Sequence, residues 1–246
     1  MCCFSGRVRA VADTSIFARA SSGGRQFLVY SMRVDADEEM AMILPIPVPE
    51  GAEDDAVRFI NLEAYPEFFE EMRSGYPVPP LTRAQGFAAG AALVLAVVEV
   101  GSFVASFVPS IADFSRLDER FRLPAEVWDD LPMYGDFGFA VFQLKEGNQK
   151  VHPMAFEFPR ADPKRLFFPT VHIHDGIVHP SAEFDHALYC QASGGEDVTA
   201  WEETLESAEA FMQNIARAQG IVDPVGRCYR KTLQGVFRNE DVIVSA

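Results

Sequence analysis

Residues 168–180 read Phe-Pro-Thr-Val-His-Ile-His-Asp-Gly-Ile-Val-His-Pro. Asp-Gly between two β-rich runs is the strongest short-range hairpin signal, because a type I′ turn requires positive φ at both central residues. With Asp175 and Gly176 at the turn, His174 pairs with Ile177, Ile173 with Val178, and His172 with His179. Paired residues share a face of the sheet, as do residues two apart on one strand. The register therefore predicts His172, His174 and His179 on one face, with Val171, Ile173 and Val178 toward the core. A shift of one residue at the turn would send His179 to the opposite face.

Outward from this stretch, β-type patterning predicts strands over residues 7–11 and 15–19, separated by a turn at Asp13, and over 26–34. A further strand over 41–46 is closed by Pro45, Pro47 and Pro49, and others are expected over 93–100, 103–108, 138–144, 154–158 and 184–191. Helices are predicted over 65–73 and over 111–121, where Ile111, Phe114, Leu117 and Phe121 form one stripe. A third helix opens on a capping box of Thr199 and Glu202, buries Trp201, Leu205, Ala208, Met212 and Ile215, and ends at Gly220. Strands and helices alternate without a βαβ period. The expected fold is a single α+β domain over residues 1–246, with a mainly antiparallel sheet and two or three packed helices.

Composition bounds the function. The chain has 246 residues, 48% hydrophobic and 23% charged, which excludes disordered, collagen-like and coiled-coil classes. A formal charge of −15 argues against nucleic acid or an anionic membrane as partner. The longest apolar run, residues 86–108, has Glu99 near its middle and reads as buried strands rather than a membrane span. The first residues lack a basic stretch followed by an apolar run, so a cytoplasmic location is expected. In that compartment four cysteines do not suggest a disulfide framework. Residues 1–34 carry five Arg and one Asp, whereas 35–71 carry twelve acids and one Arg; solvated acidic faces, or a docking surface for a basic partner, would account for this.

Three imidazoles with Cβ atoms about 5–7 Å apart can hold one transition metal and leave a position for water or a thiolate. The pattern resembles the three-histidine zinc sites of the carbonic anhydrase kind. His186 and Cys190, four apart on a strand, share a face and can add a ligand, and Glu183 can act as base. The expected metal set is thus His172, His174, His179, His186 and Cys190, the expected ion zinc or copper, and the expected chemistry hydrolytic or lyase, on a small-molecule or peptide substrate. The plainer reading is a polar hairpin face hydrogen-bonded to water or carboxylates.

Cys2 offers a second chemistry. Removal of Met1 would leave a free α-amine beside the thiol, giving either a nucleophile with its own base or a clamp for a soft metal. Cys3 reads as a small buried hydrophobe. Cys228, between Arg227 and Arg230, would have its pKa lowered if those arginines lie close.

The early Cys2 and the run Ile16-Phe17-Ala18-Arg19 resemble the cysteine N-terminal nucleophile hydrolases of the choloylglycine type, although Ser21 and Ser22 stand where that family has an Asp. The resemblance implies an amidohydrolase with Cys2 as nucleophile. Ile16-Phe17-Ala18, Val29-Tyr30, Met42-Ile43-Leu44-Pro45-Ile46-Pro47 and Tyr134-Gly135-Asp136-Phe137-Gly138-Phe139 resemble the bacterial domain of unknown function 2330 over residues 1–170. That resemblance implies a fold outline without an assigned chemistry. A non-catalytic interaction protein is the third expectation.

Overall fold

The computed structural model describes residues 2–77, 98–100, 103–150, 152–173, 177–192 and 196–246. Five strands open the chain: β1 (Cys2–Phe4), β2 (Val8–Ser21), β3 (Arg25–Ala36), β4 (Met40–Ile46) and β5 (Arg58–Asn61), followed by helix α1 (Phe68–Ser74). Then come β6 (Val98–Val100), β7 (Phe103–Val108), helix α2 (Ala125–Asp129), β8 (Gly138–Leu144), β9 (Gly147–Lys150), β10 (Met154–Pro159), β11 (Arg165–Phe168) and β12 (His172–Ile173). The chain finishes with β13 (Ser181–Gln191), β14 (Glu202–Glu203), helix α3 (Ala208–Phe211), β15 (Tyr229–Arg238) and β16 (Val242–Ser245).

The strands form a six-stranded sheet in the order β12-β1-β4-β8-β7-β6 and an eight-stranded sheet along β14-β15-β13-β2-β3-β10-β5, with β9 beside β3. A two-stranded ribbon pairs β11 with β16. Strand accounts for 44% of the structure and helix for 18%, so the protein is mostly β, and the α+β expectation is corrected. The sheets are also mixed rather than mainly antiparallel: β1 runs parallel to β12, and β13 runs parallel to β2. Both parallel joins bring together segments more than 160 residues apart, which local patterning cannot register.

Alternation along the strands builds four layers. Ile16, Leu28, Tyr30 and Leu188 of the larger sheet meet Phe4, Met42, Leu44 and Phe142 of the smaller one in the central core. The intervening residues are buried too. Phe17, Val29 and Tyr189 pack outward against Tyr65, Phe68 and Met72 around α1, while Ile43, Phe139 and Val141 pack outward against Phe114 and Trp128. Strands covered on both faces read as nearly continuous apolar runs, and β4 and β8 are buried at every residue.

Several expected elements change. The strands over 7–11 and 15–19 are one strand, because Asp13, with φ 54°, sits in a bulge where the register with β3 shifts. Its N–H donates to Asp185 Oδ2 at 3.0 Å and its carboxylate meets Arg33 Nε at 3.1 Å, so the bulge is tied on both sides. The stripe over 111–121 folds as two short 3₁₀ turns, Ile111–Arg116 and Glu119–Phe121. The helix expected from Thr199 to Gly220 is broken into a two-residue strand, the one-turn α3 and a 3₁₀ turn over Ile215–Ala218. Glu202 is drawn into the strand pairing with β15 and into an ion pair with Arg230, its Oε2 accepting from Nε at 2.7 Å.

Candidate functional site

The two arms of the expected hairpin part company. Residues 174–176, including His174 and the Asp-Gly turn, lie outside the described residues. On one side β12 joins the smaller sheet at its edge; on the other, β13 joins the larger sheet between β15 and β2. His172 and His179 consequently do not pair across a hairpin. His179 is exposed, while its carbonyl accepts from Asn239 Nδ2 at 2.9 Å.

Separation into two sheets brings together a different pair. His172, next to the outward-packed Ile173, faces the space between the sheets. His186 shares its strand face with Phe184, Leu188 and Cys190, which line the central core. The two imidazoles meet with their Nε2 atoms 3.2 Å apart and are 8% and 3% exposed. Phe184 packs on both rings, with centroids 4.5 Å from His172 and 5.2 Å from His186, and fixes their tilt. The residue opposite His172 in the parallel ladder is Cys2.

The strand that carries His172 is too short to be held by its ladder alone, and side chains from the loop between β15 and β16 complete it. His172 N–H donates to Asn239 Oδ1 at 2.6 Å, and Asn239 Nδ2 returns a bond to the His172 carbonyl at 2.9 Å. Thr170 and Val171 N–H both donate to Asp241 Oδ1, at 2.7 and 3.0 Å, and Tyr134 donates its hydroxyl to Asp241 Oδ2 at 2.6 Å. Loss of water raises the Asp241 pKa, and these donors offset only part of that rise. Sequence reasoning passed over this clasp. Its signal was the pair Asn239 and Asp241 directly after a strand, since Asn and Asp side chains routinely bond nearby backbone.

The remaining candidates lie elsewhere. Glu183 is exposed, and as a neighbour of the inward Phe184 it lies on the opposite strand face, away from the imidazole pair. Cys190 shares the strand face of His186 but lies four residues on, about 13 Å along the strand. It adjoins Cys228, and both thiols are wholly buried. Burial pushes Cys228 up to about 12 and Cys190 higher still. The expected lowering of Cys228 by flanking arginines is thereby reversed: Arg227 pairs with Glu203, and Arg230 lies over the Tyr76 ring while pairing with Glu202. Among the described side chains, no three of His, Cys, Asp and Glu gather around one point. No helix among the described residues is long and apolar enough to cross a membrane.

No family model matches the chain, and no curated protein does. The likeness to the domain of unknown function 2330 and to the N-terminal nucleophile hydrolases therefore rests on the motifs that carry it. Among solved structures the chain is similar to baculovirus P35, at 13% identity and TM-score 0.50, covering 98% of this chain and 99% of that one. A mutated P35 after caspase cleavage is similar at 14% identity and TM-score 0.48, covering 96% of this chain and 98% of that one. The P35 of a caspase-8/P35 complex is similar at 14% and 0.47, covering 96% of each chain. At such identities the likeness is one of fold, and fold does not fix function: from end to end, the chain has an architecture similar to that of baculovirus P35.

Proposed function

We propose that this chain is a protein-binding inhibitor or modifier of a protease, with Cys2 as its reactive group and His172 as the proton acceptor beside it. The observation that carries the reading is the register that places Cys2 opposite His172, whose Nε2 faces His186 Nε2 at 3.2 Å. A thiol becomes a good nucleophile when a neighbouring base takes its proton. In the step envisaged, Cys2 sulfur forms a bond to an acyl carbon of the bound polypeptide, the thiol proton passes to the His172 imidazole, and the leaving group departs with a proton from the imidazolium. His186 would accept or donate in the imidazole pair and hold the tautomer. The choice of a protease as partner draws on the similarity to P35, a protein that has been crystallised with caspase-8.

Intact mass and inhibition kinetics test this together. Loss of Met1, with time-dependent inhibition of caspase-8 or another endopeptidase that disappears in Cys2→Ala, is the expected result. Retention of Met1, or inhibition that is unchanged in Cys2→Ala, removes Cys2 from the account; absence of inhibition across a panel of cysteine and serine endopeptidases removes the protease.

A further inference from the structure

The outer face of the larger sheet is apolar where β2 and β3 carry Phe17 and Val29, which pack with α1. Two residues along, strand alternation puts Ser15 and Ser31 on the same face, directly paired across the two strands. Both serines are more than nine-tenths buried. They line a cleft of about 130 Å³ between the sheet and α1, with Phe69, Glu70 and Arg73 on the helix side and Asp13 and Arg33 on the sheet side. Among the described residues, the Ser15 hydroxyl has no hydrogen-bond partner and Arg73 has no ion-pair partner. A buried hydroxyl left unpaired by the protein costs free energy unless water or a ligand meets it. The backbone supplies an independent sign: Asp13, at φ 54°, holds a conformation that a non-glycine residue adopts at a cost. The bulge there sets the Asp13 carboxylate at the mouth of the cleft, against Arg33 Nε at 3.1 Å.

The charges around this cleft balance, two carboxylates against two guanidiniums, although the chain as a whole carries −15. A multiply charged anion such as phosphate meets Asp13 and Glu70, and a simple cation meets Arg33 and Arg73. A molecule with one charge of each sign matches both. The volume is below the roughly 300–1,000 Å³ of sites for larger ligands, which limits the occupant to a few heavy atoms. We propose that the cleft binds a free α-amino acid with a small side chain. Its carboxylate is taken by the Arg73 fork and the Ser15 hydroxyl, and its ammonium by the carboxylates of Asp13 and Glu70. Phe69 and Pro66 give the side chain an apolar wall. Binding uses charge and hydrogen bonds alone, and the site stands apart from the Cys2 reading.

The test is calorimetric titration of the full chain with glycine, L-alanine and L-serine, and with propionate, ethylamine and inorganic phosphate as probes of the separate charges. The expected result is saturation by one amino acid per chain. Propionate and ethylamine, each lacking one of the two charges, should bind at least about tenfold more weakly, and phosphate should not bind. Arg73→Gln should weaken amino-acid binding by about tenfold or more, and Ser15→Ala by about threefold or more. Because the Ser15 hydroxyl leaves no internal partner behind, Ser15→Ala should not lower the Tm of the unliganded protein. Arg73 is exposed, so Arg73→Gln decides alone if the serine variant fails to fold. Failure of all three amino acids to saturate the protein would overturn the site. So would propionate or phosphate binding as tightly as the amino acids, or amino-acid binding unchanged in both variants.

Discussion

The two parallel joins of this fold are built in opposite ways. Between β13 and β2, six residue pairs run from His186 and Thr14 to Gln191 and Arg19 in the interior of the larger sheet. Apolar side chains cover both faces: Ile16, Ala18 and Leu188 on one, Phe17 and Tyr189 on the other. Between β12 and β1 only two pairs form, at the edge of the smaller sheet, and Asn239 and Asp241 complete the join with five hydrogen bonds to backbone groups of residues 170, 171, 172 and 179. The first join is held by apolar burial and the second by polar satisfaction. Local opening is expected at the second, because free energies of opening follow the apolar contacts that must be broken. The candidate chemistry sits where the two meet: His186 comes from the rigid join and His172 from the clasped one.

This contrast orders the expected effects of substitution. Leu188→Ala, at a wholly buried position in the central core, should cost about 2–5 kcal/mol and lower Tm for the whole molecule, as measured by calorimetry. A cost below about 1 kcal/mol would mean that the interior join is not the anchor. Asp241→Ala leaves the Thr170 and Val171 N–H groups without their acceptor and should cost about 1–3 kcal/mol. Hydrogen exchange should then rise in residues 170–173 and 2–4 before it rises in β13. Asp241→Asn keeps an acceptor and should cost less, so equal losses in the two variants would contradict the clasp.

Titration separates the regions further. Glu157, buried on β10, accepts from Arg58 Nη2 at 2.9 Å and from Ser21 at 2.5 Å; although burial pushes its pKa up, these partners and Arg25 hold it below the ordinary value. Its contribution is present above the unfolded-state pKa and is lost as pH falls through the lower folded value. Asp241 has the opposite sign: its folded pKa is raised, so its contribution is complete at acid pH and is lost as pH rises through that folded value. Denaturation curves between pH 3 and 7 should therefore lose a stability rise with pH in Glu157→Gln and lose a stability fall with pH in Asp241→Asn. An unaltered pH profile in either variant would contradict the assigned shift. The smallest effect on stability is expected from Cys2→Ala, which changes Tm by a degree or two at most, because among the described pairs position 2 joins only the two-residue ladder with β12.

How much of this was legible beforehand follows from the range of the interactions. Strands β3, β4, β8 and β10 were placed to within about two residues, because alternation and closing Pro or Gly residues are local signals. The long helix ending at Gly220 was misread because Trp201 and Met212 recur at helical spacing, yet Trp201 joins the central core while Met212 packs in the outer layer with α1. Spacing shows that residues are buried, not that they are buried against the same neighbour. For the clustered histidines, the pairing turns on which sheet each arm enters. His172 meets His186 rather than forming a hairpin face with His179, since β12 finds β1 and β13 finds β2. The register of Cys2 with His172 depends on a contact across 170 residues that no local pattern encodes.

The claim at the centre of this account is that Cys2, opposite His172 in the ladder, is the reactive thiol of the molecule. Iodoacetamide alkylation of the native, chelator-treated protein, followed by peptide mass analysis across pH 5–9, tests it directly. The account predicts rapid modification at Cys2 with an apparent pKa below the ordinary thiol value of about 8.5, slowed in His172→Gln, while the wholly buried Cys3, Cys190 and Cys228 stay unmodified. Modification at Cys2 no faster than in the unfolded chain, and indifferent to His172→Gln, would contradict it.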